Sequence, residues 1–271
     1  MHSLFNKLLI STALVLCLDS AHLALAQGPT PDPSFTPATI LTQADVRQAV
    51  EQPDGKRLVV GYFKKVEGQP ARTIARYLPA GSQLDAVFQA NTAAIQGSVD
   101  EILLLPNGKI LLASIYGDSL KLGAVRRRGF LRLNTDGTPD ASFNAGQTVP
   151  QGTGNIQIGA LLAQPDGKVV VTGNFNSFNG LPAGSLVRLN PDGSLDTAFQ
   201  AAGSGLDQMG AALGLQPDGK ILIGGRFTTV HGQAAPALAR LLPDGRRDTG
   251  FFPQASATTR VAGIALDTRK C

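Results

Sequence analysis

The sequence predicts an all-β chain, a β-propeller of four ~52-residue, four-stranded repeats with additional end strands at both termini. Three observations predict it. A turn of the form P-[DN]-G-K recurs four times, ending on Lys56, Lys109, Lys168 and Lys220. An unbroken apolar run rich in β-branched residues follows each turn ("KVVVTG", "KILIGG"), as in a strand buried on both faces. A second phrase then closes each unit: "ARYLPAGSQLDAVF", "LRLNTDGTPDASF", "VRLNPDGSLDTAF" and "ARLLPDGRRDTGF". A period of roughly fifty residues with these turns fits neither a helical solenoid nor the shorter coils of a β-helix.

The repeats span about 38–88, 95–143, 156–199 and 208–251, with an end strand at 258–266, all within one domain covering 27–271. Gly55, Gly108, Gly167 and Gly219 supply the positive φ of the first turn, where Pro pre-sets the entry and Asp or Asn caps it. Seven residues after each lysine stands an aromatic: Phe63, Tyr116, Phe175 and Phe227. Arg76, Arg132, Arg188 and Arg240 precede the second turn. Asp85, Asp140, Asp196 and Asp248 come after it, each three residues ahead of Phe88, Phe143, Phe199 and Phe251. These positions read as structural: the Arg on the third strand should bond the Asp before the fourth, or the neighbouring unit's backbone, and so fix register. The aromatics should pack between units.

These residues resemble the delta-60 repeat β-propellers of bacterial secreted and surface proteins, whose unit reads Q-P-D-G-K, G-G-x-F, then R-L-N-x-D-G-x-x-D-x-x-F. The resemblance covers roughly Pro31 to Leu266. Unit one departs at Ala80, which replaces the second turn's Asp. Unit two departs further, with Asn107, Ser114 and the long segment "GDSLKLGAVRRRG". The resemblance implies a propeller and no general catalytic activity.

Residues 1–26 have the layout of a secretory signal: Lys7, the apolar run Leu8–Leu18, and small residues up to Ala26. A secreted, periplasmic or surface location is the resulting expectation. The remaining chain holds a single cysteine, Cys271, which excludes an intramolecular disulfide. The net charge of +4 is mild and scattered, and no later segment is apolar enough to span a membrane.

Catalytic chemistry finds few residues. His231 is the only histidine after the signal, no G-x-S-x-G elbow is present, and one His with one Cys cannot complete a usual zinc set. The loops "NTDGTPD" and "NPDGSLD" lack the ligand spacing and closing acid of a calcium loop. No cofactor or metal is expected. Arg126, Arg127 and Arg128 lack the interleaved aromatics of a nucleic-acid surface.

An up-and-down meander puts both turns of each unit on one face and the longer loops on the other. Binding residues concentrate on variable loops, so the candidate ligand set is Lys64, Lys65, Arg126, Arg127, Arg128, Asn176, Asn179 and His231. The reading is an exported, non-enzymatic binding or scaffold module whose partner is a surface polysaccharide or a protein, with no nucleic acid. The alternative is a metal-dependent hydrolase or lyase acting on saccharides from the loop face. His231→Ala should cost almost no stability.

Overall fold

The computed structural model describes residues 45–63, 65–66, 69–70, 73–79, 83–114, 119–145, 148–150, 157–253 and 260–266. The signal-like segment, Phe35, Lys64 and Tyr116 lie outside these. Unit one contains β1 (Asp45–Glu51), β2 (Arg57–Tyr62), the short pair β3 (Lys65–Val66) and β4 (Gln69–Pro70), β5 (Ile74–Tyr77) and α1 (Ala86–Thr92). Unit two contains β6 (Glu101–Leu104), β7 (Ile110–Ala113), β8 (Ser119–Leu122), β9 (Val125–Arg128) and β10 (Phe130–Leu133). After β11 (Thr148–Pro150), unit three runs β12 (Ile158–Ala163), β13 (Val169–Gly173), β14 (Phe175–Phe178), β15 (Leu181–Pro182), β16 (Leu186–Leu189) and α2 (Thr197–Gln200). Unit four runs β17 (Gly210–Leu215), β18 (Ile221–Gly225), β19 (Thr229–Val230), β20 (Gln233–Ala234) and β21 (Leu238–Leu241).

Each unit builds one antiparallel sheet on the same plan: β1-β2-β5, β6-β7-β10, β12-β13-β16 and β17-β18-β21. The register repeats as well. Val169 lies opposite Ala163 and Leu189, and Ile221 lies opposite Leu215 and Leu241. The middle strands β7, β13 and β18 are buried along their whole length, as continuous apolar runs require. First-turn glycines Gly55, Gly108, Gly167 and Gly219 adopt φ of +79°, +78°, +83° and +81°.

The fourth strand expected of each unit is reduced to one bridging residue: Leu84 to Tyr77, Pro139 to Leu133, Leu195 to Leu189 and Arg247 to Leu241. The next residue, Asp, ends the ladder by turning its carboxylate onto the backbone just beyond it. Asp85 Oδ1 accepts from Phe88 N at 3.1 Å and Asp196 Oδ1 from Phe199 N at 3.3 Å, which starts α1 and α2. In units two and four, Asp140 and Asp248 instead accept from the N–H two residues on, at 3.0 Å each. A side-chain acceptor competes locally with a strand ladder, and D-x-x-F places it where an N-cap belongs.

The connection between second and third strands is a hairpin in its own right: β3-β4, β8-β9, β14-β15 or β19-β20. In unit two it lies beside the third strand, β10.

First strands contact one another in series, β1 with β6, β6 with β12 and β12 with β17, so they form the inner row. The core is a succession of seams between neighbouring units. One cluster joins Leu58, Ile74 and Phe88 of unit one to Ile110, Leu112 and Leu131 of unit two. A second joins unit two to unit three through Phe130, Phe143, Val169 and Phe178. A third joins Val170, Leu186 and Phe199 to Ile221, Ile223 and Leu241. Beyond unit four, Val261, Ile264 and Leu266 pack against Leu222, Leu238 and Phe251. That segment thus occupies the place of a next unit's first strand. In the sequence, Asp32-x-x-Phe35 reads as the closing phrase of a unit and is expected to lie in the same sheet region as Val261–Leu266; Phe35 falls outside the described residues.

Candidate functional site

The repeated Arg, Asp and Phe form one clamp per unit. Arg188 Nε donates to Asp196 Oδ2 at 2.8 Å, its Nη1 donates to the Pro243 carbonyl of unit four at 2.6 Å, and its Cζ lies 4.3 Å from the Phe199 ring centre. Arg132 does the same with Asp140, the Pro191 carbonyl and Phe143, and Arg76 with Asp85, Thr135 and Phe88. Arg240 pairs with Asp248 at 2.8 Å and covers Phe251. In the first three units, one guanidinium therefore closes its own turn and grips the next unit's turn. Lys109 and Lys168 add bonds of 2.7 and 2.8 Å to Asp140 and Asp196. Burial opposes ionisation of Asp196, but bonds from Lys168, the Phe199 N–H and Arg188 outweigh it and hold the carboxyl at about 2. Asp140 is likewise held far below the usual carboxylate range.

The candidate ligand residues are spread over the hairpins of all four units. Lys65 is exposed on β3. Asn176 is exposed on β14, and Asn179 stands at that hairpin's tip with φ 51°. His231 stands at the tip of β19-β20 with φ 52°, and its ring is tied into the scaffold. Nε2 bonds the Gly245 carbonyl at 2.9 Å and so carries the proton, while Nδ1 accepts from Gly205 N at 3.1 Å. Gly245 belongs to the second turn of the same unit. Loop tip and turn therefore meet here, instead of lying on opposite faces as the meander alone suggested. The near-zero cost expected for losing His231 is corrected accordingly. Two bonds bridging three backbone segments predict a loss of about 1–2 kcal/mol for His231→Ala, measured by urea unfolding.

Arg127 is also spent on structure: Nε donates to the Phe143 carbonyl at 3.0 Å and Nη2 to that of Ala141 at 3.2 Å. Its neighbours differ. Strand alternation sends Arg126 and Arg128 to the other side of β9, where both are exposed. Arg126 lies directly opposite Lys121, and Arg128 opposite Ser119. Lys121 is exposed too, and none of the three cations has an acidic partner among the described residues. Like charges directly opposed on a hairpin repel, and the corresponding pairs in units three and four, Ser177–Pro182 and Thr229–Ala234, carry no charge. Lys121 was missed by motif reading because the longer segment of unit two shifts it out of step with its structural counterparts, Ser177 and Thr229. Folding "SLKLGAVRRR" about Gly123–Ala124 is the signal that could have found it.

Charge inside the inner row is rarer. Glu101 opens β6, accepts from the Leu161 N–H of the next unit, and is pushed up by burial from 4.5 to about 7. The proton is thus held more tightly in the folded than the unfolded chain. The stability this group contributes is full below about pH 4.5 and is lost as pH rises to about 7. Glu101→Gln is expected to gain on the parent chain by about 2–3 kcal/mol between pH 4.5 and pH 8. Urea midpoints at the two pH values measure this, and a constant difference would contradict the burial.

Among the described residues, no three His, Cys, Asp or Glu side chains gather as a metal-holding set. No helix there is long and apolar enough to cross a membrane.

Comparison with known proteins gives three findings. No curated protein matches the chain. Among solved structures, the chain is similar to the extracellular domain of the putative hybrid two component system BT4673 from B. thetaiotaomicron, at 12% identity and a TM-score of 0.34. That match covers 83% of this chain, which spans only 36% of the other. The family described as "Domain of unknown function (DUF5122) beta-propeller" matches residues 52–86, 105–143, 164–199 and 216–251, together more than half of the chain. Each match runs from the first turn into the clamp, so the chain belongs to the DUF5122 β-propeller family.

Proposed function

We propose that this protein is an exported, non-enzymatic binding module that holds an acidic surface polysaccharide on the cationic face of hairpin β8-β9. The observation that carries the reading is the trio Lys121, Arg126 and Arg128, without acidic partners among the described residues and with two members directly opposed across the hairpin. The scaffold gains nothing from that repulsion, whereas a polyanion laid along the hairpin would relieve it. Arg127 supports the site from behind by tying β9 to the clamp segment of the same unit. Export rests on the signal-like N-terminal segment. The hydrolase alternative has no gathered ligand set among the described residues to build on.

The test is titration with polygalacturonate, with dextran as the uncharged control. Binding should weaken steeply between roughly 0.05 and 0.3 M salt, and Arg126→Gln/Arg128→Gln should lower affinity by about tenfold or more. Equal binding of dextran, or full affinity in the double variant, would refute the proposal.

A further inference from the structure

The chain contains two Asn-Gly steps, Asn107–Gly108 and Asn179–Gly180. At such a step the backbone nitrogen can attack the asparagine side chain with least hindrance, because glycine places no Cβ beside it. Both asparagines are exposed, yet the fold treats the two steps differently. Asn107–Gly108 lies in the first turn of unit two and is tied down. Gly108 N donates to the Leu105 carbonyl at 2.9 Å, Leu105 N to the Lys109 carbonyl at 2.9 Å, and Lys109 N to Asn107 Oδ1 at 3.1 Å. The nitrogen that would attack is engaged, and the side chain it would attack is held toward Lys109.

Asn179–Gly180 is the tip of β14-β15. Gly180 N donates no bond among the described residues, and no atom lies within 4 Å of its Cβ position. The ladder behind the tip has two residue pairs, Ser177–Pro182 and Phe178–Leu181, and Pro182 brings no N–H to it. With φ of 51°, Asn179 holds a left-handed conformation that a residue with a Cβ enters at a cost. Attack needs the tip to open, and a short ladder closed by a strained residue opens more readily than the tied turn of unit two.

We propose that Asn179 is a self-modifying site, converted through a cyclic imide to a mixture of aspartate and isoaspartate. The Gly180 nitrogen gives up its proton and bonds to Asn179 Cγ, while the Cγ–Nδ2 bond breaks and releases ammonia. Water then opens the imide ring. Addition at Cγ leaves an ordinary aspartate. Addition at the backbone carbonyl leaves isoaspartate, whose main chain runs through Cβ and Cγ. Either product places a negative charge at the tip of this hairpin. Isoaspartate also lengthens a two-residue turn by one carbon, and turn length sets strand register, so the Phe178–Leu181 pair is lost with it.

The test incubates the full chain in mildly alkaline buffer, digests it with trypsin, and follows amide-to-acid exchange by mass spectrometry. The peptides Tyr77–Lys109 and Val169–Arg188 report the two steps, and electron-transfer fragmentation separates isoaspartate from aspartate. In the folded chain, conversion at Asn179 should be at least about tenfold faster than at Asn107. In the urea-unfolded chain the two rates should converge, because the difference comes from the fold. Gly180→Ala, whose methyl group meets open space, should slow conversion at Asn179 by at least about tenfold. In the converted protein, hydrogen exchange at Leu181 should quicken while the first-turn amide of Gly167 keeps its protection. Conversion at Asn107 as fast as at Asn179 in the folded chain, an unchanged rate in Gly180→Ala, or aspartate formed without isoaspartate would overturn the inference.

Discussion

Phe199→Ala is expected to destabilise the protein by about 3–5 kcal/mol, the range for emptying a packed aromatic site. The ring is 3% exposed and belongs to the seam between units three and four, among Val170, Leu186, Ile221 and Ile223. Two further contacts depend on it. The Arg188 guanidinium stacks on one side of the ring, and Gly245 of the next unit's turn approaches so closely that a Cβ there would lie 2.7 Å from it. Truncation therefore opens a cavity and loosens the arginine that grips Pro243. Because each unit touches only its neighbours, the loss should also weaken coupling along the array. Urea unfolding should show a lower midpoint together with a shallower transition. A cost below about 1 kcal/mol would mean the seams do not carry the fold.

The second large effect is expected at Gly193. Its φ is +88°, and a Cβ would lie 2.7–2.9 Å from the backbone of Asn144 and Ala145 in the preceding unit. Backbone atoms cannot swing aside, and Asn144 N is held by the Asp192 carbonyl at 2.8 Å. Gly193→Val combines left-handed strain with this clash, for about 3–5 kcal/mol in all. Gly180 gives the control. It too has positive φ, +76°, because Asn179–Gly180 forms the tight turn of β14-β15, but no atom lies within 4 Å of its Cβ position. Gly180→Val should cost only about 1–2 kcal/mol. Equal denaturation midpoints would contradict the steric account.

Phe199 and Gly193 also mark how far the sequence could be read. The turns, the buried middle strands and the spacing of Arg188, Asp196 and Phe199 were legible because each depends on residues within a few positions of one another. The partner of Arg188 Nη1 was not. Pro243 lies 55 residues away, and periodicity says that a partner recurs without saying which carbonyl it is. The missing fourth strand has a local cause, since D-x-x-F is as much a cap signal as a strand entry. Reading it as a strand gave weight to the four-stranded pattern of propellers over the chemistry of the Asp. The residues proposed for binding were harder to read. Arg126–Arg128 drew attention as a charge run, yet the strand alternation that turns Arg127 inward and pairs Arg126 with Lys121 appears only once the hairpin is closed.

The clamps hold the propeller together, and the cationic hairpin is surplus to that task. The stability of Arg126→Glu tests this most directly. If Arg126 serves only an external polyanion, its replacement puts a carboxylate opposite Lys121, turns a repulsion into an attraction, and raises the urea midpoint by the equivalent of about 0.2–1 kcal/mol. A fall in the midpoint would show that Arg126 is part of the scaffold and would contradict the assignment of this face to binding.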